Sequence, residues 1–352
     1  MKLLLVRLSS LGDVLHTLPA LTDLHRARPE LELHWLLEPG FAAIAAWHPA
    51  VARVLPFSLR QFKGRWRGLP KALVELRREL RTAGYAGVLD SQGLYKSALL
   101  ARLAGAPVWG LDRQSAREPG ASRLYTRRFA VPWGQPAILR NRQLFAQALG
   151  YGLPNEQPDY GLAAVAEAWR RMPLSAPWAG LTAQPFVIGF HATSQAWTNK
   201  EWPVQHWQAL ARQLAAAGLR LLLPAVDARE RSRVESIAKT SDNVLPLPAA
   251  GLEELAMVMV RAQAFVGMDT GLSYLAAALG VRGVTLYGPT APEQGVEEGR
   301  WPTLVSGEPC APCGTVRCRR ISSAGEPIPC QESLLPQSLW SALALLLEIA
   351  PQ

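Results

Sequence analysis

Short apolar runs alternate with amphipathic stretches along most of the chain. The first run, at 3–6, holds four consecutive apolar residues, which is typical of a parallel strand buried on both faces. Amphipathic helical stretches separate such runs, and this alternation predicts a parallel, doubly wound α/β sheet. In the first half we predict strands at Leu3–Val6, Leu33–Leu37, Val54–Pro56 and Ala86–Asp90, and helices at Ala20–Arg28 and Lys71–Thr82.

The alternation pauses in a proline-rich stretch, Asn155–Pro185, and then starts again. Such a stretch is typical of a connection between domains. Beyond it the apolar face of a helix around Trp207–Ala215 ends at Gly218, a residue type that often follows the last helical turn. We predict further strands at Phe186–Phe190, Leu219–Leu223, Ala264–Met268 and Gly283–Leu286, and a last helix at about 337–349.

A length of 352 residues suits two domains. We predict a first domain at 1–160, a second at 161–336 and a C-terminal helix within 337–352. No apolar run approaches the roughly 20 residues that cross a bilayer. Arg7 and Asp13 interrupt any signal peptide at the start of the chain, so we expect a cytoplasmic protein.

The net charge of +9 lies almost wholly in the first half. Residues 1–160 hold 22 Lys and Arg against 12 Asp and Glu, whereas residues 161–352 hold 15 against 16. This asymmetry indicates an anionic partner for the first half, unless the arginines are simply solvated. Nucleic acid would fit the charge, but no nucleic-acid-binding motif accompanies it, and an anionic lipid surface fits better.

The first predicted strand leads into Ser9-Ser10-Leu11-Gly12-Asp13. Hydroxyls, a glycine and a carboxylate at that point lie at the carboxyl edge of the sheet, where open α/β sheets bind ligands. The alternative is that Asp13 only caps the following helix. The segment is not a dinucleotide-binding motif, because G-x-G-x-x-G is absent.

Two segments of the second half place anion-binding groups at the same kind of edge. Asp269-Thr270-Gly271 opens a helix directly after a strand, where free N–H groups favour a phosphate, although a well-capped structural helix would look the same. Thr193, Ser194 and Lys200 follow another strand, and hydroxyls with an ammonium can stabilise a diphosphate leaving group. Lys200 on its own could also be a surface lysine.

Several blocks of the sequence resemble, in the same order, the lipopolysaccharide heptosyltransferases of glycosyltransferase family 9. The resemblance is greatest to the heptosyltransferase I branch. The blocks are 9–21, Asp90–Ala98, Gly110–Pro119, Arg142–Ala146, His191–Ser194, Lys200–Pro203, Asp269–Ser273 and Tyr287–Thr290. The resemblance implies a GT-B architecture, in which two Rossmann-like domains face a cleft and the C-terminal helix packs back toward the first domain.

The resemblance also implies an inverting glycosyltransferase. L-glycero-D-manno-heptose would pass from ADP-heptose, a co-substrate, to Kdo (3-deoxy-manno-octulosonic acid) of the lipid A inner core, with no metal or other cofactor. Asp13 would be the general base. The residues implied in donor binding are Thr193, Ser194, Lys200, Glu230, Asp269, Thr270, Gly271, Leu272 and Tyr274, and those implied in acceptor binding are Ser10, Gly12, Arg60, Lys96, Arg113 and Arg117.

The implied acceptor carries a carboxylate and phosphates, which arginine forks bind well. Further cations lie in the basic loop formed by Arg60, Lys63, Arg65, Arg67 and Lys71 around Phe62 and Trp66, and at Arg140 and Arg142. We therefore expect peripheral attachment to the anionic cytoplasmic face of the inner membrane, and a monomer. His16 and His191 border the expected cleft and would either contact ligand or pack.

Departures from the family pattern leave alternatives open. Tyr274 stands where the family usually has His, Ala225-Val226 replace a Trp-Gly pair, and 291–298 replace a glycine-rich stretch. The same family includes heptosyltransferase II-like enzymes and others with a different donor or acceptor, and a non-catalytic binder of nucleotide or lipopolysaccharide is a further alternative. Cys310, Cys313, Cys318 and Cys330 could hold zinc, but their spacing and a reducing cytosol favour free thiols.

Overall fold

The computed structural model describes residues 1–62, 64, 66–292, 302–323 and 325–349. The chain divides into two compact units, Met1–Leu162 and Ala163–Gln352. Within the described residues no helix combines the length and the hydropathy that a membrane span requires. Much of the predicted connection Asn155–Pro185 belongs to the second unit, since Arg170 Nε donates a hydrogen bond to the Val260 carbonyl at 3.0 Å.

The first unit contains a six-stranded parallel sheet, in the order β3-β2-β1-β4-β5-β6. The strands are β1 (Lys2–Val6), β2 (Glu32–Leu37), β3 (Val51–Pro56), β4 (Gly87–Asp90), β5 (Val108–Leu111) and β6 (Arg127–Phe129). The helices are α1 (Leu11–Leu15), α2 (Leu18–Ala27), α3 (Ala42–Trp47), α4 (Leu69–Ala83), α5 (Tyr95–Arg102) and α6 (Ala137–Leu149). In the core, Leu4 and Val88 of the central strands pack with Leu80 of α4 and Ala101 of α5.

The second unit repeats this arrangement, with a parallel sheet in the order β12-β11-β10-β7-β8-β9. The strands are β7 (Phe186–Phe190), β8 (Arg220–Leu223), β9 (Val244–Pro246), β10 (Ala264–Met268), β11 (Gly283–Tyr287) and β12 (Thr303–Val305). The helices are α7 (Ala163–Arg171), α8 (Trp178–Leu181), α9 (Val204–Ala216), α10 (Ala228–Ala238), α11 (Leu252–Met259), α12 (Gly271–Ala278), α13 (Pro329–Glu332) and α14 (Pro336–Leu347). Gly218 follows α9 with φ +72°, a conformation that favours glycine.

The prediction of two doubly wound parallel sheets is confirmed. Each sheet has the Rossmann order, in which the chain builds outward from a central strand, returns and builds toward the other edge. The order reverses between β1 and β4 in the first sheet and between β7 and β10 in the second. Ligands of open α/β sheets bind outside the strands' carboxyl ends at such a switch point. The loops that follow these four strands are therefore the expected binding sites.

The C-terminal helix α14 is part of the second unit's core. Leu339 and Leu343 are fully buried, in the same cluster as Leu210 and Leu214 of α9 and Val284 of β11. Trp202 Nε1 donates a hydrogen bond to the Leu334 carbonyl, at 2.8 Å, just before the helix begins. The packing of this helix toward the first domain stays a prediction.

Candidate active site

Asp13 lies at the switch point of the first sheet, in the short helix α1 that follows β1. Its Oδ2 accepts hydrogen bonds from the backbone N–H of Ser10, at 2.9 Å, and from the Ser10 hydroxyl, at 3.0 Å. Its Oδ1 lies 3.3 Å from Nη2 of Arg7. The carboxylate therefore does cap α1 through one oxygen, while the Asp13 side chain keeps 34% of its surface exposed.

These contacts determine the charge state of Asp13. Burial raises the pKa of the carboxyl, but the Arg7 guanidinium, the two bonds from Ser10 and the nearby His16 outweigh it, so the pKa lies below its ordinary value. Asp13 is thus an ionised carboxylate at neutral pH. An ionised, partly exposed carboxylate at a sheet's carboxyl edge can accept a proton from a bound hydroxyl.

A buried carboxylate, Asp90, orders the loop on the other side of this switch point. It accepts hydrogen bonds from Gln92 N (2.9 Å), Ser97 Oγ (2.8 Å) and Tyr125 OH (2.8 Å), although burial keeps its pKa above the ordinary value. Gln92 Oε1 in turn accepts a hydrogen bond from Leu8 N at 2.9 Å. The loop after β4 therefore fixes the loop that carries Asp13. Sequence analysis assigned Asp90 no such role.

The predicted acceptor residues all follow carboxyl ends of strands in the first sheet. Ser10 and Gly12 come shortly before Asp13, Lys96 lies in α5 after β4, and Arg113 and Arg117 lie in the segment after β5. The Arg60 side chain, after β3, is 70% exposed, with Nε 3.3 Å from Glu38 Oε1. The sheet brings these residues to one edge, and the described contacts join only Ser10 to Asp13. Lys63 and Arg65 lie outside the described residues.

Two further arginines of this unit have specific contacts that sequence analysis did not identify. Arg142 is buried and forms an ion pair with buried Asp23, at 2.6 Å, which joins α6 to α2. It is therefore a structural residue. Arg140 donates to the Ser115 carbonyl at 2.8 Å, and its guanidinium lies 3.7 Å from the ring centroid of Trp133.

Lys200 and Asp269 form an ion pair across the switch point of the second sheet. Lys200, which follows β7, lies 2.6 Å from Oδ2 of Asp269, which follows β10, and each side chain keeps less than 15% of its surface exposed. Burial raises the pKa of Asp269, but Lys200 and hydrogen bonds from Tyr274 and Thr290 outweigh it and lower the pKa. Two of the predicted donor residues, Lys200 and Asp269, thus come together.

Tyr274 contacts the same carboxylate. Its hydroxyl donates a short hydrogen bond to Asp269 Oδ1, and the side chain is buried. Burial and the Asp269 charge raise the pKa of Tyr274 well above its ordinary value, so the phenol is neutral. Thr270 is the N-cap of α12, and its buried Oγ1 has no hydrogen-bond partner among the described residues. Gly271 and Leu272 form the first turn of α12.

Glu201 organises the loop after β7, although sequence analysis did not select it. Its Oε1 accepts a hydrogen bond from the backbone N–H of Thr193, at 3.1 Å, and pairs with Arg229 of α10 at 2.6 Å. Thr193 Oγ1 donates to the Trp197 carbonyl at 2.7 Å, while Ser194 is exposed. The contacts of Thr193 therefore shape the loop that carries Lys200. A Glu directly after Lys200 was the available signal.

Ala225 and Val226, two of the positions that depart from the family pattern, lie just before α10. Glu230 Oε2 accepts a hydrogen bond from the backbone N–H of Val226 at 2.8 Å, and the Val226 side chain is 70% exposed while Ala225 is buried.

His191 is fully buried, and its Nε2 donates to the Pro224 carbonyl at 2.9 Å. Its burial lowers its pKa to about 4, so it packs as a neutral ring. Residues 293–298 lie outside the described residues.

The four cysteines are free thiols, of which Cys310 and Cys313 are exposed and Cys330 is buried. Burial, and then the other three thiols, raise the pKa of Cys330 to about 12. In the described part of the chain, no three His, Cys, Asp or Glu side chains meet in an arrangement that could hold a metal ion. The segment that carries these cysteines contacts the loop after β7, because Asn199 Nδ2 donates a hydrogen bond to the Thr315 carbonyl at 2.8 Å.

Comparison with known proteins gives consistent matches over most of the chain. The sequence model of glycosyltransferase family 9 (heptosyltransferase) matches residues 73–319. Lipopolysaccharide heptosyltransferase 1 of Pseudomonas aeruginosa is 46% identical over 324 residues, covering 90% of this chain and 87% of that protein. The Escherichia coli protein of the same name is 42% identical over 295 residues, covering 83% of this chain and 89% of its own.

The comparison with solved structures points to the same family. E. coli heptosyltransferase WaaC with ADP superimposes with a TM-score of 0.84 at 35% identity, over 98% of this chain and 100% of that one. The same enzyme with ADP-2-deoxy-2-fluoro heptose gives a TM-score of 0.82 over 98% and 99%. The paired Rossmann-like sheets are therefore of the GT-B class. On these matches, the chain belongs to glycosyltransferase family 9, the heptosyltransferases.

Proposed function

We propose that this protein is the inverting glycosyltransferase that moves L-glycero-D-manno-heptose from ADP-heptose to Kdo of the lipid A inner core. The observation that carries the proposal is the 46% identity to lipopolysaccharide heptosyltransferase 1 of Pseudomonas aeruginosa, which extends over most of both chains. The charged groups at the two switch points support it independently, because they provide a basic carboxylate in one unit and a cation beside a helix N-terminus in the other.

The second unit holds the donor. The diphosphate of ADP-heptose lies at the first turn of α12, where the backbone N–H groups and the unpartnered Thr270 hydroxyl can donate to it. Lys200 supplies the positive charge that stabilises the leaving diphosphate as the bond to the sugar breaks. Asp269 holds Lys200 in place by accepting its hydrogen bond, and Tyr274 in turn donates a hydrogen bond to Asp269.

The first unit provides the base. An acceptor hydroxyl attacks the anomeric carbon, its proton passes to Asp13, and the bond between that carbon and the diphosphate oxygen breaks so that ADP leaves with the electron pair. One displacement on one face inverts the configuration at the anomeric carbon. Arg60, Lys96, Arg113 and Arg117 bind the carboxylate and phosphates of the acceptor.

We also propose the setting of the reaction. The excess of 22 basic over 12 acidic residues in 1–160 supports peripheral attachment to the anionic cytoplasmic face of the inner membrane. The enzyme acts as a monomer. A heptosyltransferase II-like preference for another acceptor is the second candidate, favoured by the 30% identity of 118 residues to lipopolysaccharide heptosyltransferase 2 of E. coli.

The test is incubation of the purified protein with ADP-heptose and Kdo₂-lipid A, followed by mass spectrometry. We expect a mass gain of one heptose on the acceptor. A parallel incubation with acceptor that already carries one heptose separates the second candidate, which would extend only that substrate. No product with either acceptor, together with tight ADP binding, would identify a non-catalytic binder and contradict the proposal.

A further inference from the structure

Arg7 links the loops that follow β1 and β4 in the first sheet, and the mechanism proposed above does not use it. Its side chain directly follows β1 and is only 10% exposed despite its charge. Nη1 donates a 2.6 Å hydrogen bond to the Ser91 carbonyl after β4, and Nη2 lies 3.3 Å from Asp13 Oδ1. One guanidinium thus spans the switch point and ends on the carboxylate. Because a planar fork has fixed donor directions, the Ser91 contact determines where Nη2 points.

The two oxygens of Asp13 have different surroundings. Oδ2 receives two hydrogen bonds from Ser10, at 2.9 and 3.0 Å, which are both of ordinary length. Oδ1 has one longer contact, to Arg7. A carboxylate oxygen offers two lone pairs, so Oδ1 retains room for a substrate proton whereas Oδ2 is already saturated.

We propose that Arg7 is a positioning residue, which keeps Asp13 ionised and presents its Oδ1 to the acceptor hydroxyl. The inference rests on the proposed function, since it assigns Arg7 a task only if Asp13 is the base. Arg7 acts through Asp13 and need not touch the sugar.

Two cationic or titratable groups, Arg7 and His16, act on this carboxylate, and a third, Arg140, acts on Arg7. Arg7 comes from the end of β1, His16 from the turn after α1, and Arg140 from α6, close enough to Arg7 for their charges to interact. Burial of Asp13 favours its neutral form, and Arg7 contributes most to reversing that effect. Removal of the Arg7 charge should therefore raise the pKa of Asp13, whereas a lysine at the same place should keep it low.

The experiment compares the wild type with Arg7→Gln and Arg7→Lys in the full-length protein. Carbon-13 NMR of the aspartate carboxyls, with Asp13→Asn to assign the resonance, follows the Asp13 titration without any need for turnover. The acid limb of the kcat/KM profile for heptose transfer is the second measurement. Arg53→Gln is the matched control, because Arg53 is a half-exposed arginine of the same unit that pairs with Glu79. Urea unfolding followed by tryptophan fluorescence checks that each variant is folded.

We expect Arg7→Gln to raise the Asp13 titration midpoint and the acid limb by about one pH unit or more. Arg7→Lys should keep the low midpoint and most of the turnover, and Arg53→Gln should change neither. An Arg7→Gln protein that is folded but in which Asp13 titrates like the wild type would overturn the inference. If that variant does not fold, the NMR titration of Asp13 in the wild type still tests the inference. An Asp13 titration midpoint at or above that of an ordinary aspartate would contradict the pairing with Arg7. Absence of heptose transfer by the wild type would instead count against the proposed function.

Discussion

The contacts of Asp13 are compatible with both roles that the sequence offers as alternatives, helix cap and proposed general base. One oxygen caps α1 through Ser10, and the other faces Arg7 and solvent. A capping carboxylate is held in one orientation, which is what a general base needs in order to meet a substrate hydroxyl. The hydroxyl of Ser10, predicted to contact the acceptor, donates its hydrogen bond to Asp13, the proposed base.

Replacement of Asp13 by Asn tests this assignment. Asn keeps the shape and one capping acceptor but cannot take a proton, so we expect transfer to fall by about a hundredfold or more. ADP affinity, measured by calorimetry, should stay within a factor of two or so because Asp13 lies in the other unit. Turnover close to that of the wild type would exclude Asp13 as the base.

Lys200 should dominate donor affinity. In Lys200→Ala the incoming diphosphate would meet the Asp269 carboxylate without its cation, so we expect ADP binding to weaken by at least about 1.4 kcal/mol, or tenfold. Lys239→Ala, an exposed lysine of the same unit, is the control. Tyr274→His should bind ADP like the wild type, because an imidazole can still donate to Asp269. Calorimetry measures all three, and an unchanged affinity in Lys200→Ala would contradict the assignment.

At this scale the sequence identified the charged residues but not their partners. Among the charged residues that follow buried strands, Asp13, Lys200 and Asp269 stand out because the family resemblance implies a role for each. Arg7 and Glu201 follow buried strands as well, but only the folded loops show that Arg7 pairs with Asp13 and that Glu201 pairs with Arg229. Sequence analysis groups Arg142 with the cations for the acceptor, because nothing in its sequence neighbourhood indicates that it pairs with Asp23, 119 positions earlier.

Among the elements, α2 and α3 are joined by a histidine that must remain neutral. His48 Nδ1 accepts a hydrogen bond from Ala50 N, at 3.1 Å, so its Nε2 carries the proton and donates to Thr22 Oγ1 at 2.9 Å. Protonation would place a second N–H against the Ala50 amide. Burial lowers the pKa of His48 to about 4, and nearby His25 adds to that effect.

The first unit should therefore lose stability in acid. Because the folded-state pKa lies below the unfolded value of about 6.5, the unfolded chain binds the proton first, and stability falls as the pH drops from about 6.5 to 4. His48→Asn keeps an acceptor for Ala50 and does not titrate, so its urea midpoint should fall less between pH 7 and pH 5. His25→Asn removes an exposed histidine that only adds to the pKa shift of His48, so it should reduce the acid loss less than His48→Asn does. Equal acid sensitivity in His48→Asn and the wild type would refute this.

Helix α14 contributes to the second unit's stability through one face. Leu339 is fully buried and Leu345 is 80% exposed on the same helix. Leu339→Ala should lower the free energy of unfolding by about 2–5 kcal/mol, because it leaves a cavity against α9. Leu345→Ala should change it by no more than about 0.5 kcal/mol. Urea unfolding followed by tryptophan fluorescence measures both, and comparable losses would show that the helix does not pack in this way.

Long apolar elements were predictable and short edge strands were not. Phe186–Phe190 and Ala264–Met268 match the structure residue for residue, because central strands of parallel sheets are apolar throughout. The edge strand β6 carries two exposed arginines, and β9 ends in a proline that only an edge position tolerates. Their three-residue lengths leave too little pattern to separate them from loops.

For the whole molecule, the uneven charge predicts a measurable attachment. The full-length protein should sediment with vesicles that contain anionic phospholipid and not with purely zwitterionic ones. Binding should be strong at about 0.1 M salt and largely lost near 1 M, where the screening length falls from about 10 Å to about 3 Å. Binding that ignores both lipid charge and salt would argue against an electrostatic attachment.

The shared strand order of the two sheets has a consequence for how such a chain can evolve. The contacts described for Asp13 come from residues before 163, and those for Lys200 come from residues after it. With the proposed roles of the two units, substitutions that change the nucleotide sugar can accumulate in one half while Asp13 and its contacts stay intact in the other. The proposal therefore implies that preference for the sugar donor and preference for the acceptor can evolve separately.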